Sequence, residues 1–359
     1  MSAKFDGDKR QILVNKVEKN KDILLEMCAR LVQVPSESPQ SDTREIVKEI
    51  KSILENIEGV EVSCHTKEEP IVNLVSRLKG SSPGKRLIFN GHLDTYPVGD
   101  ASLWSNDPFS GHIDNGRLYG RGSSDMKGGI ASYLLTFMIM AELKDSWSGE
   151  LVMTLAGDEE TMGVKGTKYL LETVPHASGD AMISGDVGTA KVLRFGEKGL
   201  MWIELQATGT PSHGAHVHQG DNAIDRLVEG IDRLNKELGL IKVNAPKEVT
   251  EAIEKSSEVS ESYSGQGETE VLQKVTVNFG VIEGGISPNL IPAKASAQGD
   301  IRLPVGVKLE EVKQKIKEIV DSIDGLTYRI FRQYEANCSD INHEIFSLTA
   351  ANVKHITGE

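Results

Sequence analysis

Between residues 60 and 184 short β-rich runs alternate with helical ones, and this alternation restricts the fold more than any other feature of the 359-residue chain. The β-rich runs fall at 60–64, 71–78, 87–89, 150–155 and 181–184, and helical spacing fills 127–143 and 165–173. Upstream, apolar residues at helical spacing occupy 12–33 and 43–57, the second through Ile46, Val47, Ile50, Ile53, Leu54 and Ile57. The turn-rich PSESPQSD separates these two expected helices. Strands alternating with helices predict an α/β layer on a mostly parallel sheet, with functional groups just past the carboxyl ends of the strands.

From about residue 196 the order changes to strand 200–207, helix 223–238, strands 274–281 and 293–303, helix 309–323 and strand 327–333. The order β-α-β-β-α-β predicts an inserted ferredoxin-like domain. The polar stretch 246–270 reads as an insertion within it, with a possible helix in EVTEAIEKSSEV and a flexible SGQGETE. The expected organisation is the first part of a catalytic domain at 1–190, the inserted domain at 191–336, and the start of a returning catalytic segment at 337–359. That last segment ends at Gly358 and Glu359 without an evident turn or cap, so the chain reads as cut short.

Composition narrows the partners. A formal net charge of −13 opposes binding to nucleic acid phosphates or an anionic membrane surface, and leaves carboxylates available for cations. The most apolar run, 130–141, is too short to span a bilayer, which takes about 20 residues. MSAKFDGDKRQ carries no apolar leader, so a cytoplasmic location is expected. Cys28, Cys64 and Cys338 are too few and too scattered for a disulfide framework or a zinc ribbon.

Four strand-end segments concentrate acids and imidazole. Residues 87–89 run into Asn90-Gly91-His92-Leu93-Asp94, with His92 and Asp94 on the same side because they are two apart. Asp125 lies in the glycine-rich GRGSSDMKGG directly before a helix. Asp158, Glu159 and Glu160 follow a buried strand, and Asp186 follows the next. A lone histidine is usually structural and an acidic run usually solvated, but gathering these groups in one place is costly without a cation. A mixed imidazole and carboxylate set suits zinc, with cobalt or manganese as substitutes.

The run from GHLDTYPVGD to GRGSSDMKGG, then GDEETMG and ISGD, resembles the M20 family of zinc-dependent amidohydrolases and peptidases, and the resemblance extends over nearly the whole chain. It implies that His92, Asp125 and Asp186 hold one zinc, and that Asp125 bridges to a second zinc also bound by Glu160. Asp94 would orient His92 and Glu159 would be the general base. In GTPSHGAHVHQGDNAI, His213 would stabilise the oxyanion, reaching across from a partner subunit as in dimeric members. GGISPNLIP and GDIR supply Asn289 and Arg302, which would contact the substrate carboxylate. His213, His216 and His218 stay open as an alternative metal cluster, and Arg302 as an ordinary strand arginine.

The implied activity is hydrolysis of an amide bond in an N-acyl amino acid or small peptide, by a homodimer with up to two zinc ions per subunit. One departure matters. The family's second zinc also takes a histidine from a later glycine-rich segment, and neither His343 and its context nor His355 matches it. A narrow biosynthetic deacylase, of acetylornithine or succinyl-diaminopimelate type, and a non-catalytic binding or dimerisation protein are the alternatives.

Overall fold

The β-rich runs of the first half pair into one sheet, and the apolar faces this creates are covered by helices. The computed structural model describes residues 7–358; the leading MSAKFD, part of the leaderless reading, and Glu359 lie outside the described residues. Two units are distinguished, one ending at Gly188 and the other starting at Thr189.

The first unit runs α1 (Gly7–Lys19), α2 (Lys21–Val32), α3 (Arg44–Leu54), β1 (Val60–Glu68), β2 (Ile71–Lys79), β3 (Arg86–His92), a small hairpin of β4 (His112–Asp114) and β5 (Arg117–Tyr119), α4 (Gly128–Glu142), β6 (Glu150–Ala156), α5 (Thr167–Thr173) and β7 (Ala181–Ser184). The sheet order is β1-β2-β6-β3-β7. Only β2 is reversed, antiparallel to both of its neighbours, so the sheet is mostly parallel as expected. The helix expected over 12–33 is two helices, interrupted at Asn20, whose side chain folds back onto the Lys16 carbonyl. Asparagine competes for backbone hydrogen bonds in this way, which is why it favours helix ends. The α4 segment is apolar almost all round and buries Ile130, Leu134 and Phe137, each contributing about 1.5–3 kcal/mol. Tyr133 stacks on Phe89 of β3 at 4.9 Å, which fixes α4 against the strand that carries His92.

The second unit runs β8 (Gly196–Glu197), β9 (Gly199–Thr208), α6 (Ala223–Leu238), α7 (Lys247–Ser264), α8 (Glu268–Leu272), β10 (Thr276–Gly284), β11 (Lys294–Leu303), α9 (Leu309–Asp321), β12 (Leu326–Tyr334), β13 (Asn337–Cys338) and α10 (Glu344–Thr357). Its main sheet, β10-β11-β9-β12, is antiparallel throughout, the ferredoxin-like arrangement. Leu227 and Leu234 of α6 and Ile316 and Ile319 of α9 join one core with Ile203, Leu205 and Ile301 of the sheet.

Two further segments take definite form. Of SGQGETE only residues 265–267 form a turn, with Gly265 and Gly267 at φ 103° and 94°, while Ser264 ends α7 and Glu268 starts α8. The C-terminal segment 337–357 groups with the second unit, where β13 pairs with β8, and α10 is capped by Gly358 at φ 82° with its amide on the Lys354 carbonyl. Among the described residues no helix is long and apolar enough to cross a membrane.

Candidate metal centre

Three adjacent parallel strands, β6, β3 and β7, deliver the site from their carboxyl ends. His92 is the last residue of β3, Glu159 and Glu160 follow β6, and Asp186 follows β7. Asp125 arrives from the loop before α4. That approach needs glycine: a Cβ on Gly129 would collide with the carbonyl oxygen of Gly185, directly before Asp186. The Gly185 amide is held by the Tyr133 hydroxyl, which itself donates to the Asn90 carbonyl at 2.9 Å. The helix and the β7 end are thereby tied to one strand.

His92, Asp125 and Glu160 offer ligand atoms within 4.8 Å of one another, the single such group found among the described residues. His92 Nε2 lies 2.9 Å from Asp125 Oδ1, and Nδ1 donates to the backbone carbonyl of Asp94 at 2.8 Å. Asp186 lies close enough to Asp125 to influence its carboxyl, and its Oδ1 accepts the Val187 amide at 2.6 Å. The tight group therefore contains Glu160, which the resemblance places with Asp125 at a second zinc, and leaves out Asp186, which it places with His92 and Asp125 at the first.

Asp94 is fully buried, and its carboxylate does something the sequence reading missed. The Nδ1 partner of His92 is the Asp94 carbonyl, and the nearer carboxylate oxygen is 3.6 Å away. The carboxylate instead accepts the Glu159 amide on Oδ1 at 3.0 Å and the Glu160 amide on Oδ2 at 3.1 Å. One residue thus orients the imidazole through its backbone and the glutamate pair through its side chain.

The electrostatics fit a cation. Burial alone would lower the His92 pKa, but hydrogen bonds to Asp125 and Asp94, with the charges of Asp94 and Glu159, raise it to about 11. Glu160 is pushed up to about 7, chiefly by burial, with Asp125, Glu159 and Asp94 adding and His92 opposing. Glu159 faces solvent as a residue, yet partial desolvation of its carboxyl is the main cause raising its pKa, and Asp94, Asp186 and Asp125 push the same way. Asp125 is held low, first by its hydrogen bond with His92. The carboxylates lack enough positive charge among themselves, and a divalent ion held there would supply it.

In the second unit His213 and Asn289 come together: His213 pairs with Leu290, and the Gly214 amide donates to the Asn289 carbonyl at 2.8 Å. His213 Nδ1 accepts the Ala215 amide at 3.1 Å, so the ring proton sits on Nε2. The His213, His216 and His218 rings are 6.0 Å apart in succession and do not form a close ligand group. His343 caps α10 through Nδ1. Arg302 is elsewhere. Lys294 pairs with Thr208 near the His213 end of the ladder, while Arg302 pairs with Leu200 at the other. Eight residues of strand separate those rungs, about 26 Å. The Arg302 Nε also donates to both oxygens of Asp300, each at 3.0 Å.

Comparison with known proteins agrees with this layout. The peptidase dimerisation domain of the M20 group matches residues 195–325, and peptidase family M28 matches 73–256. The chain is 29% identical over 307 residues to a succinyl-diaminopimelate desuccinylase of Rhodospirillum centenum, an alignment covering 82% of this chain and 71% of the relative. A second, from Cereibacter sphaeroides, is 32% identical over 218 residues, 58% of this chain and 55% of that one. The fold is that of the M20 family metallo-carboxypeptidase Sso-CP2 from Sulfolobus solfataricus, with TM-score 0.76 and 21% identity over 94% of this chain and 84% of that one. With a metal-ligand group at the strand ends, a dimerisation domain in place and relatives of this kind, the chain belongs to the M20 family of metal-dependent peptidases and amidohydrolases.

Proposed function

We propose that this protein hydrolyses the amide bond of an N-acyl amino acid or small peptide bearing a free carboxylate, with Glu159 as the base. The observation that carries the reading is the convergence of His92, Asp125 and Glu160, with a second glutamate beside them. His92, Asp125, Glu160 and Asp186 would hold the cation, with zinc the best match to the donor set and cobalt or manganese as substitutes. When bound, such an ion acidifies water and polarises the amide carbonyl. Glu159 takes the proton of the attacking water and passes it to the departing amine. It is free to do so because its amide is anchored on Asp94 separately from that of Glu160. His213 presents its Nε2 proton to the oxyanion of the tetrahedral adduct.

The chain acts as a homodimer in this reading. No small substrate spans the distance between Arg302 and the His213–Asn289 end of one sheet, which supports a site built from two subunits: Arg302 from one and His213 and Asn289 from the other. Arg302 would exchange Asp300 for the substrate carboxylate, which it can grip with two parallel hydrogen bonds.

The desuccinylase relatives are compatible with a second, narrower reading, a deacylase for an acyl group that itself carries a carboxylate. One panel separates the readings: N-acetyl and N-succinyl amino acids and dipeptides, each with a free or amidated carboxylate, assayed with zinc and with cobalt. Turnover confined to free-carboxylate substrates and lost in Glu159→Gln is expected. A strict N-succinyl preference selects the narrow deacylase. Equal turnover of free and amidated substrates refutes the Arg302 assignment, and no turnover with either metal favours a non-catalytic binding role.

A further inference from the structure

The turn PSESPQSD buries three serines: Ser36, Ser38 and Ser41 are 2%, 6% and 0% exposed. A buried hydroxyl needs a partner, and the three partners differ in kind. Ser36 Oγ donates to the Leu93 carbonyl at 2.6 Å, a tie from loop to backbone. Ser38 Oγ donates to Asp94 Oδ2 at 3.0 Å and lies 3.1 Å from Ser41 Oγ. A hydroxyl has one proton, and an ionised carboxylate can only accept. Ser38 therefore gives its proton to Asp94, and Ser41 must be the donor to Ser38. The hydrogen-bond chain runs Ser41 to Ser38 to Asp94, and Asp94 receives the Glu159 and Glu160 amides on the other side.

Ser41 carries a second signal. Its φ is 45°, in the left-handed region, where a residue with a Cβ is strained and glycine is not. A serine at such a position points to a role for its side chain. The hydrogen bond its hydroxyl makes is the one to Ser38.

We propose that Ser41 and Ser38 are positioning residues: their hydroxyl relay fixes the Asp94 carboxylate and, through it, the direction in which Glu159 and Glu160 face the reacting water and the cation. This rests on the hydrolase reading, but one of its readouts does not. In the full chain, Ser38→Ala and Ser41→Gly should each speed hydrogen exchange at the Glu159 and Glu160 amides, with no substrate present. Both should lower kcat by roughly 10- to 100-fold, the penalty for small misplacement of a catalytic group, with KM little changed. Ser38→Thr, which keeps the hydroxyl, should recover most of the loss. Ser36→Ala breaks a bond in the same loop without touching Asp94 and should keep its kcat.

Ser41→Gly discriminates most sharply. It relieves backbone strain, so a purely structural serine predicts an unchanged or higher melting temperature and full activity. A stable Ser41→Gly protein with reduced kcat supports the relay; a stable one with full kcat and unchanged exchange overturns it. If Ser38→Ala fails to fold, Ser41→Gly still decides. Faster exchange in these variants together with no turnover of any amide substrate by the unmutated protein would keep the relay and refute the hydrolase reading instead.

Discussion

Replacing Asp94 by Asn tests the glutamate anchor at nearly constant shape. The carboxylate accepts from the Glu159 amide, the Glu160 amide and Ser38 Oγ, at 3.0, 3.1 and 3.0 Å, with no solvent exposure. Asparagine offers one accepting oxygen and one NH2. If the oxygen takes the Oδ2 place, the NH2 meets the Glu159 N–H donor against donor; if it takes Oδ1, the NH2 meets the Glu160 N–H. Either way one amide loses a charge-assisted bond of about 1.5–3 kcal/mol and faces a donor instead. Because Ser38 can rotate its hydroxyl, we expect a loss of about 2–4 kcal/mol in unfolding free energy for the first unit. A shift of the loop by about 1 Å would lower kcat by about 10²-fold.

Urea titration followed by a probe in the first unit, with kcat on the best substrate, measures both. Cation affinity is the third reading. The Nδ1 proton of His92 goes to the Asp94 carbonyl, which asparagine keeps, so affinity should fall only a few-fold. An orienting carboxylate would predict a 10- to 100-fold loss of affinity with the fold intact. Asp94→Asn with unchanged stability and kcat, or with a selective loss of metal, would refute the anchor.

Three further outcomes are expected. Glu159→Gln should retain the cation and lose on the order of 10²- to 10⁴-fold in turnover, whereas Glu160→Gln should lose the cation; metal analysis beside kinetics checks both. A verified heterodimer of a Glu159→Gln subunit with a His213→Ala subunit should regain activity that neither homodimer has, since one of its two composite sites is intact, and no recovery would return His213 to its own subunit's site. Lys198, whose Nζ donates to the Val271 and Lys274 carbonyls, has its pKa lowered to about 8, first by burial and then by Arg302 and Lys274. The unfolded chain then binds the extra proton between about pH 8 and the ordinary 10.5, so this contribution to stability rises with pH across that window and is flat below it. Lys198→Met should remove that slope in denaturation curves compared at pH 7.5 and 9.5.

The sequence alone determined the α/β layer, the ferredoxin-like order of the second unit and the gathering of His92, Asp125, Glu159, Glu160 and Asp186 at strand ends. Those features are local: hydrophobic period sets the element, and parallel strands carry whatever follows them to the same edge of the sheet. What each of those groups touches was not legible. Ser38 and Asp94 are 56 residues apart, and Asp94 and Glu159 are 65, so their contacts depend on how three loops cross above the sheet. The serines in PSESPQSD read as turn residues because burial is a property of the assembled loops and leaves no mark on a polar run. Asn289 and Arg302 show the opposite limit. Close in the chain, they were read as one carboxylate grip, but an extended strand adds about 3.3 Å per residue and carries Arg302 to the far end of the sheet. Only the tertiary structure decided that these two lie toward opposite ends of one sheet, because the register of β11 on β9 sets the distance.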